Sequence, residues 1–160
     1  SGSSYGIVKV QMKKAIGGAI ESALKEDSEL IIESALEGPE ISVGVYTKND
    51  KIIVLPATEV ISENDFFDYK AKYEGESDEI TPAILPIELE KKVKKDALNL
   101  YTKLSLRGIT RSEFIFIKNI PYFLEINTIP GMTKQRIIPK QFDEANKRLK
   151  KIILARINEE

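Results

Sequence analysis

The 160-residue sequence contains no cysteine and no histidine. The first absence excludes disulfides, thiolate zinc sites and a cysteine nucleophile, and the second excludes histidine-based triads and imidazole metal ligands. No apolar run approaches the roughly 20 residues of a membrane span, and no basic-then-apolar signal opens the chain. An excess of either charge is missing too: Lys and Arg total 24 against 25 Asp and Glu, so no bulk field favours nucleic acid or a membrane surface. Any chemistry must therefore use carboxylates, Lys, Arg, hydroxyls or a bound metal, and an anionic ligand must be held by local groups. What is present, 42% hydrophobic and 31% charged residues, fits a soluble globular protein with a real core, and the missing span and signal are read as an intracellular, cytoplasmic setting.

Hydrophobic periodicity gives a coarse layout. It predicts strands at 7–10, 29–33, 40–47, 51–60, 110–117 and 121–127, and helices at 11–26, 87–104 and about 141–157. "KND" and "KNI" read as hairpin links. Residues 62–82 keep no sustained period, as expected of a functional loop. The expectation is an antiparallel sheet covered by helices.

The stretch "FLEINTIPGM" carries polar residues inside a strand pattern, and alternation puts Phe123, Glu125 and Asn127 on one face. Arg111 and Glu113 are in phase with Ile115 and Ile117 on the preceding strand. If the two strands pair at positions summing to 240, Glu113 faces Asn127 and Ile115 faces Glu125, so that two carboxylates and an amide oxygen share one face. Such a set, with no nitrogen or sulfur ligand, suits a hard cation such as Mg²⁺, and Arg111 could grip an oxyanion. A solvated face with charges paired across strands explains the same pattern, and a glycosidase carboxylate pair is a further option. The opening "GSSYG" is a small-residue loop of the kind that can wrap a phosphate, and Lys72 is a candidate phosphate ligand in the irregular loop; an ordinary turn and a solvated loop lysine are the plainer readings of the two.

Taken in order, "GSSYGIVKV", "ELIIESALEGPEISVGV", "FFDYKAKYEG", "ITPA", "GITRSEFIF", "YFLEINTIPGMT" and "IIPKQ" resemble the ATP-grasp part of the D-alanine-D-alanine ligases. The resemblance implies two α+β lobes gripping ATP, the first incomplete: 1–48 as the remainder of the central lobe and 49–160 as the C-terminal, Mg²⁺-binding lobe. It also implies that the N-terminal substrate domain lies outside this chain, that the longer parent is a homodimer, and that the isolated chain ligates weakly or not at all. The implied reaction joins two D-alanines through an acyl phosphate, with ATP as substrate and two Mg²⁺ ions, or Mn²⁺, as cofactors, for peptidoglycan synthesis.

By position, Ser3, Ser4 and Gly6 match the loop over the phosphates, and Ser4 also counts with the catalytic groups. Glu33 matches the adenine-amino acceptor, Ala35 and Leu36 the hinge, and Glu40 the ribose ligand. Phe67 and Lys72 match the loop aromatic and phosphate lysine, while Ile115 and Leu124 match adenine contacts. Glu113, Glu125 and Asn127 match the metal ligands, Arg111 the arginine at the acyl phosphate, and Gly131 the backbone donor to the oxyanion.

The chain departs from the family pattern at three places: Glu113 where Asp is usual, Arg136 where a serine holds the second substrate's carboxylate, and "FDEANKRLKK" after "IIPKQ". The first keeps the charge on a longer arm. Arg136 is assigned to the acceptor site and leaves open a related ligase using D-lactate or D-serine. A nucleotide-binding module without catalysis is the remaining alternative.

Overall fold

The computed structural model describes residues 7–62 and 77–146. The chain divides into two compact units, Ser1–Leu36 with Ser62–Asp78, and Glu37–Ile61 with Glu79–Glu160. The boundary expected at 48/49 falls inside the β1–β2 hairpin of the second unit, because both strands belong to one sheet.

In the first unit the helix predicted at 11–26 is shorter. A 3₁₀ turn at Lys13–Ala15 leads into α1, Ile16–Ala23, and Gly17 and Gly18 weaken so short a helix. The strands expected at 7–10 and 29–33 do not form ladders among the described residues. Alternation specifies a face, not a partner, and Ile31 and Ile32 are exposed.

The second unit is built on an antiparallel sheet. Its strands are β1 (Glu40–Lys48), β2 (Lys51–Val54), β3 (Thr58–Ser62), β4 (Ser77–Ile80), β5 (Ile109–Ile117) and β6 (Ile120–Asn127). Their order is β4-β3-β1-β5-β6, with β2 also paired to β1. Both hairpins turn on two residues with positive φ, Asn49 and Asp50 (49° and 61°) and Lys118 and Asn119 (49° and 65°). That is the twist a two-residue hairpin loop requires.

The single strand expected at 51–60 is broken at Leu55–Ala57. Pro56 cannot donate a ladder hydrogen bond, and the registers Val45↔Val54 and Ser42↔Thr58 leave three residues opposite two. A side chain fills this gap. Gly44 N–H donates to Gln141 Oε1 (3.0 Å), and Gln141 Nε2 donates to the Ser42 carbonyl (2.9 Å) and to Thr58 Oγ1 (3.1 Å). The buried Gln141 amide thus stands in for a missing strand peptide, satisfying backbone groups that would otherwise be costly orphans.

Helix α2 (Ile87–Lys103) buries Val93, Ala97 and Tyr101 at i, i+4 and i+8 against Ile41, Val43, Val45, Phe114 and Phe116. Leu104, expected on that face, is exposed just beyond the helix. Tyr101 donates to the Gly108 carbonyl (2.9 Å), so its oxygen accepts from Thr47 Oγ1 (2.9 Å). Tyr101→Phe is expected to destabilise the fold by about 1–2 kcal/mol, read by chemical denaturation, since it leaves both partners short of a bond.

Residues 137–146 form helix α3 on the opposite sheet face. It starts before the predicted 141 because Pro139 lies in the first turn, where its missing N–H is no loss. The predicted continuation to 157 lies outside the described residues. Phe142 packs on Tyr46 with ring centroids 5.0 Å apart.

Candidate metal and phosphate site

The polar face lies on the α3 side of the sheet, in the second unit. Its register differs from the expected one: Glu113 pairs with Glu125 and Arg111 with Asn127, a sum of 238 instead of 240, and Ile115 pairs with Tyr122 instead of Glu125. A slip of two residues keeps Glu125 and Asn127 on the face of Arg111 and Glu113, because the strand period is two, but Phe123, expected on that face, instead pairs with Phe114 on the core side, its ring centroid 6.0 Å away. The acids therefore still meet, and more directly than expected.

A bulge makes this possible. The turn closes with Ile117↔Ile120, and the pairs down to Phe114↔Phe123 follow a sum of 237. Continued unchanged, that register would set Glu113 opposite Leu124 and send Glu125 to the other face. The register shifts between Glu113 and Phe114, leaving Leu124 as the extra residue on β6. One unpaired leucine thus brings the two carboxylates together.

On β1, Ser42 lies opposite Glu113 and Gly44 opposite Arg111. Arg111 Nη2 is 2.6 Å from Glu113 Oε1. The Arg111 Nε is buried with no partner, an unsatisfied donor of the guanidinium that calls for an explanation.

Burial raises the Glu113 pKa from 4.5 to about 7; Arg111 opposes the rise, while a hydrogen bond from Glu125 and the charges of Glu40 and Glu125 add to it. A divalent cation held between the two carboxylates would displace the proton of that hydrogen bond. Asn127 Oδ1 accepts from Ile129 N–H (3.1 Å) and keeps a second lone pair. Among the described residues no group of three or more Asp, Glu, His or Cys side chains converges on a metal position; the donor set here is two carboxylates and an amide oxygen.

The sign of the Glu113 shift gives a stability prediction. A carboxyl whose folded pKa is raised binds its proton more tightly folded than unfolded, so stability is lost as pH rises from 4.5 through about 7. Glu113→Gln removes this penalty. In protein stripped of divalent ions it is expected to be more stable than the parent chain at about pH 8, by on the order of 2–3 kcal/mol, and to show little advantage near pH 4. Urea unfolding at both pH values measures it.

Glu40 opens β1 opposite Ile115 and Val60, with its charge felt at Glu113. Gly38 lets the chain enter β1, since any Cβ there would collide with the Phe116 carbonyl. Ile115 is half-buried and Leu124 exposed at the bulge. Gly131 follows the buried Pro130, and a Cβ on it would lie 3.3 Å from Arg136 Cγ. Glu33, Ala35 and Leu36 belong to the first unit, in a stretch without ladder pairing among the described residues. Ser3, Ser4, Gly6, Phe67 and Lys72 lie outside the described residues. Sequence reading missed Gln141 and Ser42. Gln141 sits inside "IIPKQ" with no signal of burial, whereas Ser42 is in phase with Glu40 and could have been placed on the polar face.

The family described as "D-ala D-ala ligase C-terminus" matches residues 1–158. The D-alanine--D-alanine ligase of Flavobacterium johnsoniae is 55% identical over 141 residues, 88% of this chain and 44% of that protein. The crystal structure of VanG D-Ala:D-Ser ligase from Enterococcus faecalis is similar at TM-score 0.76 and 34% identity, covering 88% of this chain and 41% of that one. The D-alanine--D-alanine ligase of Bacillus anthracis complexed with ATP is similar at TM-score 0.71 and 30% identity, covering 86% and 43%. The chain spans about half the length of the curated relatives it matches. With the antiparallel sheet, the paired carboxylates and the arginine beside them at the positions the resemblance marked, the chain belongs to the D-alanine-D-alanine ligase family, as a match to its C-terminal, ATP-grasp region.

Proposed function

We propose that this chain supplies the ATP and Mg²⁺ face of an enzyme that joins two D-alanines in the cytoplasm for peptidoglycan synthesis. The observation that carries the reading is the Glu113–Glu125 pair with Arg111 ion-paired to it and a buried Arg111 Nε left over. In this reading the unit of 37–61 and 79–160 is the C-terminal ATP-grasp lobe, and the full-length enzyme is a homodimer.

Attack of a D-alanine carboxylate on the γ-phosphate brings two anions together, and the residues here act against that repulsion. Glu113, Glu125 and Asn127 would hold two Mg²⁺ ions, or Mn²⁺, which when bound neutralise phosphate charge. Arg111 spans the metal face and the reacting centre: one terminal nitrogen fixes Glu113, and the spare donors receive the acyl phosphate and then the oxyanion formed by amine attack. Gly131 N–H is the second oxyanion donor. By the resemblance, Glu40 takes the ribose hydroxyls and Ile115 and Leu124 contact the adenine. Ser3, Ser4, Gly6, Phe67 and Lys72 are assigned to closure over the phosphates. No step needs a cysteine or histidine.

The test is ADP release by the full-length gene product with D-alanine, D-serine or D-lactate as second substrate. D-alanine-dependent release supports the reading, and nucleotide binding without turnover favours the non-catalytic module. One observation favours a different acceptor: Arg136 lies against Gly131, beside the oxyanion position, and a D-Ala:D-Ser ligase is among the structural relatives. A preference for D-serine or D-lactate, lost in Arg136→Ser, would establish that reading.

A further inference from the structure

Ser42 is fully buried, and its Oγ has no hydrogen-bond partner among the described residues. An orphaned hydroxyl in a native interior calls for an explanation. Its position supplies one. The Ser42 carbonyl accepts from Gln141, and the Gly44 carbonyl, two residues on, accepts from Leu55 N–H (2.8 Å). Residues 42 and 44 thus turn their backbone groups toward the β2–β3 edge and away from β5. Ser42 and Glu113 are therefore a non-hydrogen-bonded cross-strand pair, the kind whose Cα atoms are about 4.5 Å apart and whose side chains stand closest.

On its other flank, Ser42 faces Thr58, whose hydroxyl is engaged by Thr81 Oγ1 (2.7 Å) and Gln141 Nε2 (3.1 Å). On β5, the residue directly opposite Ser42 is Glu113. Gln141 pins the Ser42 carbonyl, so the backbone that carries the hydroxyl is fixed under the acid pair.

Resting on the metal reading above, we propose that Ser42 is a positioning residue for Glu113: its hydroxyl donates to the Glu113 carboxylate when that carboxylate takes up a divalent cation, fixing the orientation of the ligand. Carboxylates that bind metals are themselves hydrogen-bonded by such outer groups, whose loss weakens metal binding by about 10–100-fold. The role also explains why the hydroxyl is idle in the fold itself.

The probe is Mn²⁺, titrated into the 160-residue chain with free ion read by electron paramagnetic resonance, alongside thermal unfolding without metal. Ser42→Ala is expected to weaken Mn²⁺ binding about tenfold and to leave unfolding without metal unchanged or shifted upward, because no bond is lost. Ser42→Thr, which keeps the hydroxyl, is expected to restore affinity to near the parent value. Glu125→Gln is expected to abolish the site. Parent-like affinity in Ser42→Ala, or a Thr variant no better than the Ala variant, overturns the proposal with the metal site intact. A marked loss of stability without metal in Ser42→Ala also overturns it, since the hydroxyl would then have a structural partner. Mn²⁺ bound equally by the parent and Glu125→Gln overturns the metal reading and this proposal with it.

Discussion

Glu125→Gln, introduced into the full-length enzyme, is expected to lower the ligation rate by about a thousandfold or more while leaving the unfolding transition near that of the parent. Removal of one charge from a site that holds transition-state charge forfeits several kcal/mol. Stability behaves differently. Glu125 is an exposed residue near the end of β6, and its charge works against that of Glu113. Its neutral isostere relieves a repulsion and leaves the bulged register intact. Turnover by coupled ADP release and melting by circular dichroism separate the two effects. Unchanged turnover removes the site from the account, and a collapsed melting transition makes the residue structural.

Gly44→Ala acts through packing. A Cβ at Gly44 would lie 2.6 Å from Gln141 Oε1, 2.7 Å from Ile138 Cδ1 and 2.8 Å from Leu55 Cδ1. All three neighbours are buried, and Gln141 is tied by three hydrogen bonds, so none can move aside cheaply. Overpacking combined with loss of the Gln141 clamp is expected to destabilise the chain by about 2–4 kcal/mol, read by urea denaturation. Because Gly44 pairs with Arg111 and Ser42 with Glu113, the folded fraction should also bind Mn²⁺ more weakly. A stability within about 0.5 kcal/mol of the parent would show that the α3 packing yields.

Much of this site was legible in the sequence because it depends on parity. Alternation placed Glu125 with Asn127 and Arg111 with Glu113, and the two-residue register error preserved both assignments. The bulge at Leu124 was not legible. No residue type announces it, and reading the Lys118–Asn119 turn correctly would, without it, have separated the acids onto opposite faces. Local pattern alone favoured a solvated face, and only the resemblance turned the reading to a metal site.

The fold shows the same division. Helix α2 followed from its spacing, and β1 and β5 from their alternation. The break at Leu55–Ala57 was masked by the apolar run through "IIVLPA", although Pro56 is its physical cause. The Gln141 clamp joins residues 97 and 99 positions apart, beyond the reach of any local period. The apolar stretches at 7–10 and 29–33 had the composition of strands, yet pairing needs a partner as well as a pattern.

The central claim is that the Glu113–Glu125 face holds the divalent cation that carries ATP. Calorimetric titration of ATP into the chain tests it most directly, with Mg²⁺ present, with EDTA, and with Mg²⁺ in Glu125→Gln. Binding is expected in the first condition and its loss in the other two. Equal ATP affinity in all three would contradict it.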